Sequence, residues 1–281
     1  MQHLRDLWSL IKAKQTALLL FTGIAGYASV ADPAARGGGW LPLVGGLLLS
    51  ISGATVLNMV YDRDIDRQMA RTQDRPLAAG RLSPGPVAAL GAALSAAGLA
   101  WAFATAVPFG LAVLAGWALD ALVYTVWLKR RTAWSVVWGG ISGGMPALAG
   151  RVLALGHVDL VGLLLALAVL LWIPTHIMTF SIKYAGDYAR AGVPVFPNVY
   201  GPVVTQQVIG GSTLLAALTM LCVTWLLALP FGVLGVAACL GAVLVGLAAN
   251  AMIRPSVAVN FRLFKFASVY MVAAMGLIVL R

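Results

Sequence analysis

Asn58-Met-Val-Tyr-Asp62-Arg-Asp64-Ile-Asp66-Arg67 follows directly on a long apolar run. Its acidic side chains therefore stand where a membrane helix meets or leaves the bilayer, and ionisable groups there are costly and usually functional. The spacing is N-x-x-x-D-x-x-x-D. On a helix turning about 100° per residue, positions four apart differ by only about 40°, so Asn58, Asp62 and Asp66 form one stripe. Three oxygen donors on one face suit a hard cation such as Mg2+, which often shares its remaining positions with substrate phosphates. A solvated loop of alternating charge is the plainer reading. Against it, the carboxylates of Asp62, Asp64 and Asp66 repel one another unless something neutralises them.

Around this stripe the chain is apolar. Of 281 residues, 61% are hydrophobic and 10% charged, far below the roughly 25% charge of soluble domains. Apolar runs long enough to span a bilayer recur at approximately 15–34, 40–60, 86–106, 108–128, 133–152, 160–181, 205–228, 230–252 and 262–280. Short connections at Val107-Pro108 and Leu229-Pro230 imply antiparallel neighbours in one bundle. The expectation is an all-α integral membrane protein, residues 1–281 forming one domain of about nine transmembrane helices around a central cavity. Nothing at the N-terminus reads as a cleavable signal or organelle presequence, so a prokaryotic plasma membrane is expected.

The basic residues fix an orientation. Arg5, Lys12 and Lys14 precede span one; Arg63, Arg67, Arg71, Arg75 and Arg81 lie between spans two and three. Lys129, Arg130 and Arg131 follow span four, Lys183 and Arg190 follow span six, and Arg254, Arg262 and Lys265 lie between spans eight and nine. Only Arg36, Arg151 and Arg281 fall on the other side. This bias places the N-terminus and the acidic stripe in the cytoplasm and the C-terminus outside. It points to anionic lipid headgroups as partners rather than to nucleic acid. Cys222 and Cys239 sit inside spans without metal or redox spacing and read as packing residues.

All nine acidic residues are Asp. Asp187, just after span six, is a second acidic site that one bundle can bring opposite the first; an N-cap or a salt bridge with Arg190 is its structural alternative. Two carboxylate clusters across a cavity could hold Mg2+ with a diphosphate between them. Arg71, Arg75, Lys129, Arg130 and Lys183 in the same loops are candidate diphosphate contacts, Arg as forks and Lys as point charges. A metal-bound diphosphate over an apolar cavity suggests ionisation of an allylic diphosphate. Tyr61, Tyr124, Trp127, Trp134, Trp138 and Tyr188 near the cytoplasmic ends could shield the cation or simply form the aromatic belt.

Further stretches extend the pattern: Met69-Ala-Arg-Thr72, Arg75-Pro-Leu77, Gly80-Arg-Leu-Ser83, Tyr124-Thr-Val-Trp-Leu-Lys-Arg130, Trp138-Gly-Gly140, Gly144-Met-Pro146 and Asp187-Tyr-Ala-Arg-Ala-Gly-Val-Pro194. With the stripe, they resemble the UbiA-type intramembrane prenyltransferases, and within them the protohaem IX farnesyltransferase (haem O synthase) branch. The resemblance implies that Asn58, Asp62, Asp66 and Asp187 bind Mg2+-diphosphate and that Tyr124, Lys129 and Arg75 contact the diphosphate. It implies a farnesyl cation, derived from farnesyl diphosphate, adding to a vinyl group of haem B. Water then completes a hydroxyethylfarnesyl group, with Asp62, Asp66 and Tyr124 serving catalysis.

Departures from that branch gather where the acceptor is expected. Its Pro-Pro-His-Phe-Trp is here Pro174-Thr175-His176-Ile177-Met178, a common Asn is Ser135, a Pro-Pro pair is Pro146-Ala147, and charged residues before Asp187 are Ala185-Gly186. A full second D-x-x-x-D would place Asp where Ala191 stands. The same fold with a quinone precursor, chlorophyll-like ring or lipid as acceptor, or an internal cyclisation, is the alternative; a transporter is a more distant one. His176 could bind haem iron or a propionate, or be satisfied by a backbone carbonyl. Gly139, Gly140, Gly143 and Gly144 allow close approach in span five, for helix packing or a flat macrocycle.

Overall fold

A computed structural model of the chain describes residues 2–30 and 38–280. Arg36, Arg281, residues 31–34 of the first expected span and the His3 side chain lie outside the described residues. Among the described residues there are helices and no strand: α1 (Gln2–Leu10), α2 (Ala13–Ala28), α3 (Trp40–Tyr61), α4 (Arg63–Gln68), α5 (Pro84–Thr105) and α6 (Val107–Ala118), which runs on as a π-helix through Leu119–Leu128. Then come α7 (Ser135–Leu155), α8 (Leu160–Lys183), α9 (Ala185–Arg190), α10 (Phe196–Leu226), α11 (Phe231–Ile253) and α12 (Val257–Val279).

The nine long helices α2, α3, α5, α6, α7, α8, α10, α11 and α12 fall on the nine expected spans. Seven are both long and apolar enough to cross a membrane. The exceptions are α2, with 16 described residues, and α7, diluted by glycine, serine and Arg151. Helix α10 begins well before the expected 205. Gly201 adopts φ 82° and ψ 160° ahead of Pro202, joining a short aromatic segment to the span proper. Pro disfavours helical geometry in the residue before it, and glycine alone takes positive φ there cheaply.

Each long helix packs against the next in the chain, and α12 returns to α2, closing a ring. Inside that ring α2 also crosses α7. The crossing is tight because glycines meet backbone: a Cβ on Gly26 would lie 2.0 Å from the Ala147 carbonyl oxygen, and one on Gly150 2.0 Å from that of Gly23. Between membrane helices lipid tails replace water, so van der Waals contact through small residues supplies the association. The helix α1 breaks from α2 at Lys12, whose φ of 44° is left-handed, and its Leu7 and Trp8 are exposed, as on an interfacial helix.

The end of the bundle away from the acidic stripe is tied by one polar cluster. Arg151 forks onto Asp159 with bonds of 2.7 and 2.7 Å and donates to Ser29 Oγ at 2.6 Å. Asp159 also accepts from the Gly162 N–H at 2.9 Å, capping α8. Burial pushes the Asp159 carboxyl up, but Arg151 and the Gly162 N–H outweigh it and hold it below its ordinary value. A carboxylate with a depressed native pKa contributes stability that is present above its unfolded value near 4 and is lost as pH falls through the native one. Asp159→Asn is therefore expected to cost about 1 kcal/mol at pH 7 and less at about pH 3, below the ordinary carboxylate value. Melting temperatures of both proteins in detergent at the two pH values measure this, and an equal gap at both would refute it.

Candidate functional site

The stripe sits at the end of α3, where Asp62 closes the helix and starts α4. Asp66 continues the helical bonding, its N–H reaching the Asp62 carbonyl at 2.8 Å. Asn58, Asp62 and Asp66 are all buried. Below them a cavity of about 270 Å³ opens between α2, α3, α6, α7 and α8. Its wall is mostly apolar, with Leu19, Leu47, Ile51 and Val113 among the lining residues. Asn58, Tyr124, Lys129 and His176 also line it. Its mouth, on the basic side of the bundle, carries Asp66, Arg71, Arg75 and Tyr188.

At the mouth, Asp62 and Asp66 each meet a base. Lys129 donates to Asp62 Oδ2. Arg75 reaches both oxygens of Asp66 at 3.0 and 2.8 Å. Asp62 is fully buried, yet its Oδ1 has no partner among the described residues. Asn58 accepts from Lys12 at 3.2 Å and donates to Thr125 at 2.7 Å. Lys12 is the centre of the positive field: burial, then Arg75 and Lys129, lower its ammonium to about 8, against Asp62 and Asp120.

The two acidic loops do meet, as their spacing in the sequence suggests. Ile65 and Met69 pack with Val193, against Tyr188 and Val195, and Arg71 donates to the Tyr188 hydroxyl at 2.9 Å. Arg71 also lies over the Tyr184 and Tyr188 rings. Asp187 itself pairs with Arg190, the salt bridge named as its alternative. No three His, Cys, Asp or Glu side chains among the described residues form a metal-holding group. Two expected substrate contacts lie away from the cavity. Arg130 forks onto Asp64 at 2.7 and 2.6 Å and lines a lateral groove between α3 and the π-helix. Lys183 is exposed and lies over the Tyr184 and Phe261 rings.

The acceptor-side residues gather at one place. His176 stands in the cavity beside Trp172 and Phe264, ring centroids 4.9 and 5.0 Å away, and its Nδ1 is buried without a partner among the described residues. Gly139 and Gly143 line the cavity, while Gly140 and Gly144 pack on Leu170 and Ala166 of α8. Ser135 borders the mouth. Several polar cavity residues were not among the expected site residues, Lys12, Gln15, Ser142 and Asp120 among them. For Asp120 a signal existed, since an acid inside an apolar span is itself a functional marker.

The π-helix explains how α6 reaches the site. Asp120, Tyr124 and Lys129 all line the cavity. In an α-helix Asp120 and Lys129 would face opposite sides, nine steps of about 100° amounting to half a turn beyond two full ones. The wider winding, seen in the Lys129 N–H bonding the Tyr124 carbonyl at 2.9 Å, brings them to one side. Such insertions collect at functional sites.

Comparison with known proteins follows the same lines. A family model described as the UbiA prenyltransferase family matches residues 19–271. The chain is 48% identical over 201 residues to a protoheme IX farnesyltransferase of Thermofilum pendens, covering 70% of each. It is 42% identical over 236 residues to the protein of that name in Archaeoglobus fulgidus, covering 83% of this chain and 81% of the other. In fold it matches digeranylgeranylglyceryl phosphate synthase, with TM-score 0.78, 19% identity and coverage of 100% and 98%. It also matches a UbiA homologue from Archaeoglobus fulgidus bound to GPP and Mg2+, with TM-score 0.68, 15% identity and coverage of 97% and 99%.

Proposed function

We propose, on the premise that the chain belongs to the UbiA prenyltransferase family, that it transfers the farnesyl group of farnesyl diphosphate to haem B, giving haem O. One observation carries this reading: a mouth of matched carboxylates and cations, with one buried carboxylate oxygen left over, opens onto a mostly apolar cavity. Relatives 42% and 48% identical that are named protoheme IX farnesyltransferase supply the acceptor.

The donor set fits Mg2+. Asn58, Asp62 and Asp66 offer hard oxygens on successive turns, and Asp62 Oδ1 lacks any partner among the described residues. These three, with Asp187 from the facing loop, would hold the ion, which when bound supplies positive charge to the leaving diphosphate. Lys129 and Arg75, freed from Asp62 and Asp66, turn to the diphosphate oxygens, and Lys12 and Arg71 complete the positive rim. The bond between farnesyl C1 and its oxygen breaks, and the electron pair leaves with diphosphate. The Tyr124 ring faces the cavity where the cation forms. A haem vinyl group donates its electron pair to C1, and the cation passes to the carbon next to the macrocycle. Water adds there and a proton departs. The mostly apolar walls limit the access of water to the farnesyl cation first. His176, which lines the same cavity, would meet the haem iron or a propionate. The charge bias puts the mouth in the cytoplasm, in what we take to be a prokaryotic plasma membrane.

Purified protein given farnesyl diphosphate, haem B and Mg2+ is expected to yield a haem heavier by a farnesyl and a hydroxyl group, read by mass spectrometry. Prenylation of another acceptor with none of haem, or substrate flux in proteoliposomes without conversion, would overturn the assignment.

A further inference from the structure

The cavity holds one carboxylic acid that the scheme above leaves unused. Asp120 lies within the membrane-spanning α6, in its π-helical part, and lines the central cavity. No hydrogen bond or salt bridge joins it to any described residue; its interactions are at longer range, with Lys12, Lys129 and Asp62. An ionisable side chain in a span is expensive and is kept where it faces a cavity and serves it. The other carboxylates of the site are each held by a base: Asp62 by Lys129, Asp66 by Arg75 and Asp187 by Arg190. Among the described acids of the site, Asp120 alone makes neither a side-chain hydrogen bond nor an ion pair.

Its depth is informative. Asp120 precedes Tyr124 by one turn and Lys129 by about two on the same face. It therefore lies beneath the cationic rim that takes the diphosphate, at the level of the carbon the diphosphate leaves. The surrounding wall is mostly apolar, and its other polar side chains are hydroxyls, amides, indoles, Lys12, Lys129 and His176, so a water there has few protein groups able to take its proton. Lys12 and Lys129 are cations and cannot.

We propose, resting on the farnesyl-transfer reading, that Asp120 is a catalytic residue of the second half of the reaction: the proton acceptor for the water that quenches the haem-side cation. The oxygen of that water forms the new C–O bond, and one of its protons passes to a carboxylate oxygen of Asp120. The proton leaves by the mouth. Without a base at this point the same cation loses a proton from the adjacent carbon instead. It then closes a double bond and gives a prenylated haem lighter by one water.

The test compares wild type, Asp120→Asn and Asp120→Glu with farnesyl diphosphate and haem B, resolving hydrated and dehydrated prenyl haems by mass spectrometry. Binding of a non-hydrolysable farnesyl thiodiphosphate certifies folded protein. Asp120→Asn is expected to bind that analogue within about threefold of wild type. It should lose hydrated product about 100-fold, as for removal of a general base, with the remaining product shifted to the dehydrated haem. Asp120→Glu should restore hydrated product in part. Wild-type yield and proportions from Asp120→Asn would overturn the inference, as would an equal loss of analogue binding, which would make Asp120 a counter-charge for Lys12. Wild-type protein that prenylates no haem overturns the farnesyl-transfer reading as well, a result distinct from either of these.

Discussion

Asp62→Asn is expected to leave the protein folded in the membrane and to lower kcat/KM for prenyl transfer by at least about 1,000-fold, the scale seen when a preorganised group that stabilises leaving-group charge is removed. Asp62 is fully buried. Lys129 takes one of its oxygens and the other has no partner among the described residues. Asparagine keeps the shape but removes the charge. It turns an amide toward Lys129 or toward the orphaned position, and an amide N–H₂ in either place repels a cation. Lys129 loses its counter-charge as well, so two elements of the diphosphate site fail together. Asp66→Asn, which takes from Arg75 one of its two acceptor oxygens and its counter-charge, should follow closely. Turnover of labelled farnesyl diphosphate with haem B, beside melting temperature and elution profile, separates lost chemistry from lost fold. Full activity in the Asp62 variant would sink the assignment of this site.

The stripe was legible because two periodicities coincide: a four-residue spacing that a helix turns into one face, and an apolar run that ends there. The same holds for the nine long helices, since lipid exposure demands continuous apolar segments that no other constraint interrupts. Asp187 was legible as a partner loop, but its pairing with Arg190 is a local i,i+3 choice that sequence offered only as an alternative. Arg130 and Lys183 show the limit more sharply. Both sit in basic runs beside site residues, yet one turns to Asp64 and the other lies over Tyr184 and Phe261. Which side of a helix end a long side chain takes depends on winding, and α6 ends as a π-helix that no α-helical projection anticipates. That winding also hid Asp120, which a projection at 3.6 residues per turn sets opposite Lys129. Lys12 read only as part of the charge bias before span one, because its place at the cavity depends on the left-handed break between α1 and α2.

Gly26→Ala is expected to cost about 3 kcal/mol or more, at the upper end of overpacking penalties, and to lower the melting temperature by roughly 5–10 °C. The reason is that the added carbon meets backbone, not a side chain that can swing away. It would stand 2.0 Å from the Ala147 carbonyl oxygen, 2.9 Å from the carbonyl carbon and 3.2 Å from Cα. Helices α2 and α7 must therefore separate along their crossing, where Gly150 already brings a second contact of the same kind against Gly23. Separation also moves the site, because α2 carries Gln15 and Leu19 and α7 carries Gly139, Ser142 and Gly143 on the walls of one cavity. Gly211→Ala in α10 makes the same chemical change where nothing lies within 4 Å, and the helix propensity of alanine should make it neutral or stabilising by up to about 1 kcal/mol. Thermal unfolding of the two variants in the same detergent isolates packing from propensity, and binding of a farnesyl diphosphate analogue to each reports the cavity. Equal melting temperatures for Gly26→Ala and Gly211→Ala would mean that the α2–α7 crossing yields freely, and that its glycines do not set the width of the cavity.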